Sequence, residues 1–332
     1  MHLPPSRRSL MPAVVCTAAL TMTAACGSPE PTKQESRAGY PVTVSNCGTD
    51  QRFDAPPERG LLLKSASVPY LDAIGALDRI TAKAGVYPKA YYNADTNAAL
   101  ERIPSLTDKI DSSGHLQISK ETVLARSPDL VLGHTDTVNP KTLASTKVPV
   151  LEVPALCEGA SKPPTFDDVY AELQTYGKVF GKQQQATRAV TSMRGELSKI
   201  TSNVPDRKGA TAAVLYPTPG GGTTYAYGNR SMADPQLAAA GFKNVFAGVA
   251  ERVFEISPEQ LLAKNPDVIV LPHNEGNPQE IERAVTSLPG AGRLAAVRNK
   301  RIHVQLFNFT EPPSPLAITG LKKIVNAFPT VR

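Results

Sequence analysis

Tryptophan is absent from the 332 residues, and cysteine occurs only four times. No G-x-S-x-G, H-E-x-x-H or C-x-x-C pattern occurs, which leaves no nucleophile elbow, zinc-peptidase helix or dithiol redox pair. The glycine run at 220–222 is not followed by Lys-Ser/Thr, so it is not a phosphate loop. No apolar run reaches the length of a confident membrane span. Charge is not concentrated either. The formal charge is +6, two of it from Arg7 and Arg8, and Lys and Arg are scattered among acids, which argues against a nucleic-acid partner. No catalytic constellation is visible, so the chain is expected not to be an enzyme and to carry no cofactor of its own.

What is present is enough for two domains of ordinary size with a sizeable core, since 41% of the residues are apolar. Thirty prolines imply many fixed turns and few very long helices. The N-terminus has three parts. Arg7 and Arg8 precede the small and apolar run LMPAVVCTAALTMTAA at 10–25, which ends at Thr23-Ala24-Ala25-Cys26-Gly27. This layout fits an export signal over 1–25. Small residues before a cysteine resemble the bacterial lipobox, in which cleavage precedes the cysteine and its thiol is acylated, although Thr23 stands where leucine is preferred. An ordinary apolar N-terminal helix is the alternative. Ser6-Arg7-Arg8 also resembles a twin-arginine signal without its Phe-Leu-Lys tail, so the export route stays open. The polar stretch 26–39, rich in Pro, Gly and charge, reads as a flexible tether from the membrane to the folded body. Cys16 then leaves with the leader and Cys26 takes the lipid. Cys47 and Cys157 remain in an oxidising compartment, where they are expected to pair, two buried free thiols being the alternative.

The strongest signal is an internal repeat. ISKETVLARSPDLVL at 118–132 aligns without a gap on ISPEQLLAKNPDVIV at 256–270. Ile, Ser, Glu, Leu, Ala, Pro and Asp match. In each copy a serine, Ser119 or Ser257, is placed to N-cap a short helix, and Glu121 or Glu259 lies in its first turn. Pro128 or Pro266 ends the helix, and the apolar run after Asp129 or Asp267 reads as a buried parallel strand. GLLLK at 60–64, ITAKAG at 80–85 and VPVLEVP at 148–154 read as further strands of a first lobe. ATAAVLY at 210–216, the segment 244–246 and RIHVQLF at 301–307 read as strands of a second. Helical stretches such as VPYLDAIGAL and QEIERAVTSL lie between them, and alternation of strand and helix implies a parallel sheet in each lobe. A helical pattern runs from Phe166 to Ile200, interrupted at Gly181, and its second half has a thin apolar stripe suited to bridging two lobes. An ordinary surface helix is the alternative. The expected organisation is an N-terminal lobe over 40–180, an interlobe helix over 181–203 and a C-terminal lobe over 204–332.

These features together resemble the vitamin-B12/ferric-siderophore periplasmic binding proteins of ABC importers. The likeness also rests on APPERGLLL at 55–63, DPQLAAAGFKNVFAG at 234–248, LPGAGRLAAVRNKRIHVQ at 288–305 and PPSPLAITGLKKI at 312–324. The resemblance implies two Rossmann-like α/β lobes with parallel central sheets, joined by one long interdomain helix. It implies a monomeric, lipid-anchored protein on the extracytoplasmic face, delivering a small metal chelate to a permease dimer with its cytoplasmic ATPase. The family's docking glutamates fall on Glu121 and Glu259. Without a transport role, the same scaffold would be a ligand sensor or a lipoprotein enzyme.

Ligands of open α/β sheets bind beyond the carboxyl ends of strands. Loops there place Tyr70, Tyr87, Tyr91 and Tyr92 in the first lobe and Tyr225, Tyr227 and Phe309 in the second as candidate contacts. Tyrosine offers a flat apolar face and one hydroxyl, which suits a large chelate. His134 and His273 each follow the repeat's strand. They are candidate ligand contacts and, secondarily, metal ligands, the bland alternative being loop histidines that only hydrogen-bond. Arg230 is a candidate for an anionic group on the ligand, with a surface salt bridge as its alternative. A ferric siderophore ranks first as cargo, ahead of a corrinoid or haem.

Overall fold

The computed structural model describes residues 39–111, 115–218, 220, 222–274 and 276–331. The export signal, Cys26 and nearly all of the expected tether lie outside the described residues. The described residues belong to one compact unit.

Its first half opens with β1 (Val42–Asn46) and β2 (Thr49–Phe53), an antiparallel hairpin. The hairpin was not anticipated, because its turn consists of Cys47 and Gly48, both at positive φ. That conformation is the one a two-residue hairpin requires. Then come β3 (Gly60–Leu62), α1 (Val68–Ile74), β4 (Ile80–Lys83), α2 (Ala94–Arg102), α3 (Lys120–Leu124), β5 (Leu130–Leu132), α4 (Pro140–Leu143) and β6 (Val150–Leu151). The four later strands form a parallel sheet in the order β4-β3-β5-β6. Leu62, Leu130, Leu132 and Leu151 pack on one face with α1, while Leu61, Leu63, Val131 and Val150 pack on the other. Burial on both faces explains the unbroken apolar strands. A disulfide joins Cys47 to Cys157, with Cα atoms 5.0 Å apart, tying the hairpin to the segment after β6.

α5 (Phe166–Val179) and α6 (Gln183–Thr201) follow. Thr165 and Asp168 close a capping box at the start of α5, and Gly181 in the left-handed region separates the two helices. Along α6, Ala186, Ala189, Val190 and Met193 pack into the core of the first half, whereas Leu197 and Ile200 pack into that of the second. One helix is therefore built into both cores.

The second half contains β7 (Thr211–Pro217), β8 (Thr224–Tyr227), α7 (Ala233–Ala239), β9 (Lys243–Asn244), β10 (Val253–Ile256), α8 (Pro258–Lys264), β11 (Val268–His273), α9 (Pro278–Thr286), α10 (Ala295–Arg298), β12 (Ile302–Leu306) and α11 (Leu316–Ala327). Its sheet runs β10-β8-β7-β11-β12, with β9 also on β7. β9, β7, β11 and β12 are parallel, but β8 and β10 are antiparallel additions. The expectation of an all-parallel sheet is corrected at this edge. The connection from β7 to β8 is too short for the crossover that a parallel return needs. The stretch expected as a loop after β7 is therefore partly strand, and Tyr225 and Tyr227 lie in β8.

The two repeat copies do the same work in the two sheets. Ser119 caps α3 by accepting from the Thr122 N–H, and Ser257 caps α8 by accepting from the Gln260 N–H. Asp129 accepts from the N–H groups of Glu58 and Arg59 just before β3, and Asp267 accepts from the N–H and hydroxyl of Thr211 at the start of β7. Each aspartate fastens the beginning of the neighbouring central strand.

Candidate functional site

The two sheets meet through the segments that follow their strands. The Asn308 N–H, just beyond β12, donates to the Tyr91 hydroxyl at 2.9 Å, and its side-chain amide donates to the Ser65 hydroxyl at 2.8 Å. The Tyr70 hydroxyl donates to the Pro313 carbonyl at 3.2 Å. Phe309 meets the Tyr91 ring edge-on, with Leu316, Leu306 and Tyr92 packed around them. On the second lobe the segment bearing Asn308 is anchored by buried Glu311. Glu311 pairs with Arg252 at 2.9 Å and accepts from the Met232 N–H. Gln236 holds the Phe309 and Ala317 carbonyls, at 2.7 Å each.

Several expected site residues belong to this seam or to the cores. Tyr70 lies in α1 rather than in a loop, is 1% exposed and stacks on Tyr176 with ring centres 5.0 Å apart. Pro69 in the first turn starts the helix early enough to take Tyr70 inward. Tyr91, Tyr227 and Phe309 are buried, as is His273, the last residue of β11. Burial pushes the Tyr91 hydroxyl up to about 12, against the pull of the Asn308 N–H, and the nearby Tyr216 adds to the rise.

The remaining candidates keep exposed surface. Tyr87 and Tyr92 are half-buried, donating to the carbonyls of Ala84 and Ser65. Tyr225 is half-buried, its hydroxyl 3.5 Å from Glu255. Arg230 is half-buried, and its guanidinium has no ion-pair partner among the described residues. His134 is partly exposed and bonds through Nδ1 to Glu152 at 2.8 Å. Glu121 and Glu259 are both exposed at matching places in α3 and α8. Each carboxyl lies below the ordinary range, because its own backbone N–H and the capping serine favour the charged form.

Sequence reasoning missed four contributors. Lys64 and Glu152 flank His134. Tyr216 packs edge-on against Phe307 and accepts from the Asn274 amide at 3.3 Å. Asn308 carries the seam. Glu152 left a signal, as an acid inside the apolar run VPVLEVP. Among the described residues no group of three or more His, Cys, Asp or Glu side chains is placed to hold a metal ion. No described helix is long and apolar enough to cross a membrane.

A polar and aromatic surface thus flanks the junction of two sheets sharing one helix, and known proteins share this plan. The family model for periplasmic binding proteins matches residues 62–304, spanning both sheets. An uncharacterized ABC transporter substrate-binding lipoprotein, YvrC of Bacillus subtilis (strain 168), is 21% identical over 93% of each chain. A crystal structure named as the ABC-type Fe3+-hydroxamate transport system of Saccharomonospora viridis DSM 43017 is 51% identical, with a TM-score of 0.83. It covers 88% of this chain and 100% of that one. A periplasmic heme binding protein of Pseudomonas aeruginosa has the same fold at 21% identity and a TM-score of 0.66, over 83% of this chain and 94% of its own. With the family model matching residues 62–304, well over half of the chain, and 51% identity to a solved protein over 88% of it, the chain belongs to the periplasmic binding protein family.

Proposed function

We propose that the protein is the extracytoplasmic, lipid-anchored receptor of an ABC importer and that its cargo is a ferric hydroxamate siderophore. The observation that carries the reading is the match to the Fe3+-hydroxamate transport protein, at 51% identity over that protein's whole length. The surface beside the lobe seam supports it. Tyr87, Tyr92, Tyr216 and Tyr225 offer flat faces with hydroxyls, and Arg230 and His134 offer polar contacts, a mixture suited to a large chelate with an apolar periphery. In this reading Cys26 carries the lipid and 26–39 is the tether. The receptor acts as a monomer and releases its chelate chemically unchanged. Glu121 and Glu259, one in each lobe, dock on cationic side chains of the permease through charge-assisted contacts.

Calorimetry of the mature chain against a ferric trihydroxamate, a ferric catecholate, haem and a corrinoid tests the cargo. Tight binding of the hydroxamate, and at least tenfold weaker binding of the others, is the expected result (roughly 1.4 kcal/mol or more of discrimination). Preference for haem or the corrinoid overturns the hydroxamate assignment.

A further inference from the structure

Three neighbouring strands of the first sheet deliver ionisable side chains to its carboxyl edge: Lys64 after β3, His134 after β5 and Glu152 after β6. They are arranged by depth. The Glu152 side chain is 2% exposed, whereas those of Lys64 and His134 are 31% and 32% exposed. One Glu152 oxygen accepts from Lys64 Nζ at 2.7 Å, from His134 Nδ1 at 2.8 Å and from the His134 N–H at 3.0 Å. The other accepts from the Val153 N–H at 2.7 Å. Asn46 clamps the Glu152 backbone from both sides, at 2.8 and 2.9 Å. The lysine stem crosses Gly133, where a Cβ would lie 2.9 Å from Lys64 Cγ. Its next residue, Ser65, bonds to Asn308 of the other lobe.

The carboxylate is therefore fixed underneath, with Lys64 and His134 outermost and beside the seam. An ammonium has three donors, and Glu152 is the only hydrogen-bond partner of Lys64 Nζ among the described residues. A pair serving stability alone gains little from leaving the cation exposed, since the solvated half of an ion pair contributes weakly. We propose that Lys64 is the contact residue of a subsite for a free carboxylate on the cargo chelate, outside its iron-binding groups, with Glu152 and His134 as positioning residues. Glu152 holds the ammonium over Gly133, and His134 takes the remaining approach to the same oxygen, so that the ammonium stays outward. The subsite rests on the chelate-receptor reading above.

The test uses three ferric trihydroxamates with a common iron centre: a linear one ending in a carboxylate, a linear one ending in an amine and a neutral macrocycle. The wild-type protein is expected to bind the carboxylate form roughly tenfold more tightly than the amine form. Lys64→Met should remove that preference by weakening the carboxylate form alone, with the macrocycle unchanged within about twofold, and Lys64→Arg should keep it. His134→Asn should narrow the gap between the carboxylate and amine forms in part. Should Lys64→Met fail to fold, Lys64→Gln carries the same expectation. Equal loss on all three chelates, or no preference in the wild type, overturns the subsite. Failure of folded wild type to bind any of the three sinks the chelate reading, and the subsite with it.

Discussion

Glu172, in α5, is buried against the first lobe's core, and burial lifts its carboxyl to about 8, with the charge of Glu152 adding to the rise. The folded protein thus holds it protonated where the unfolded chain, near the ordinary 4.5, has released the proton. Native protein binds more protons over that interval, so this group's contribution is full below about 4.5 and falls as pH climbs towards about 8. Glu172→Gln should flatten that decline, leaving the variant more stable than wild type at pH 8 and above, as read from urea midpoints across pH. An unchanged slope would remove Glu172 as its source. Individual side chains were also the level at which the sequence was least legible. It gave residue types near strand ends but not their direction. Tyr70 and Tyr227 point into cores while Tyr87 and Tyr92 stay partly open, because a helix start at Pro69 and the pleat of β8 decide direction. Lys64 drew no attention, because its meaning comes from Glu152, a partner far along the chain.

At the level of elements, the repeat was readable because each copy carries its own punctuation: a capping serine, a stopping proline and an aspartate ahead of an apolar strand. The β8–β10 edge was not. Thr224–Tyr227 is a four-residue strand directly after a glycine-rich run of sequence, so turn residues outweighed the short strand pattern, and its outer partner β10 is more remote than β7. The seam between the lobes has its own vulnerable point. A Cβ at Gly320 of α11 would sit 1.8 Å from the Phe309 carbonyl oxygen and 2.8 Å from the Gln236 amide. Backbone cannot rotate away as a side chain does, so Gly320→Ala must displace the turn that presents Asn308 to Tyr91 and Ser65. A loss of at least about 3 kcal/mol is expected from denaturant unfolding, towards the upper end of overpacking costs. Gly292→Ala, with open space around it, should cost under about 0.5 kcal/mol and serves as the control. Equal effects of the two would show that the contact of α11 with this turn is not under such constraint.

For the whole molecule, the two-lobe plan followed from the duplication itself, since each copy supplies an interior strand of a separate sheet. The same duplication sets one exposed carboxylate on each lobe. Charge reversal of both, Glu121→Arg with Glu259→Arg, should reduce cellular uptake of the chelate by at least roughly a hundredfold, because attraction at two contacts becomes repulsion. The calorimetric dissociation constant should stay within about twofold. Uptake that survives, or cargo affinity that falls with it, would contradict the docking role.

A strut seated in both cores, as α6 is, lets the lobes separate only by bending it or by unpacking one end. Such a receptor behaves as a gauge with nearly fixed jaws. In the proposed role, such stiffness would make the receptor select by size as well as by chemistry and would leave the work of unloading to the permease on which it lands.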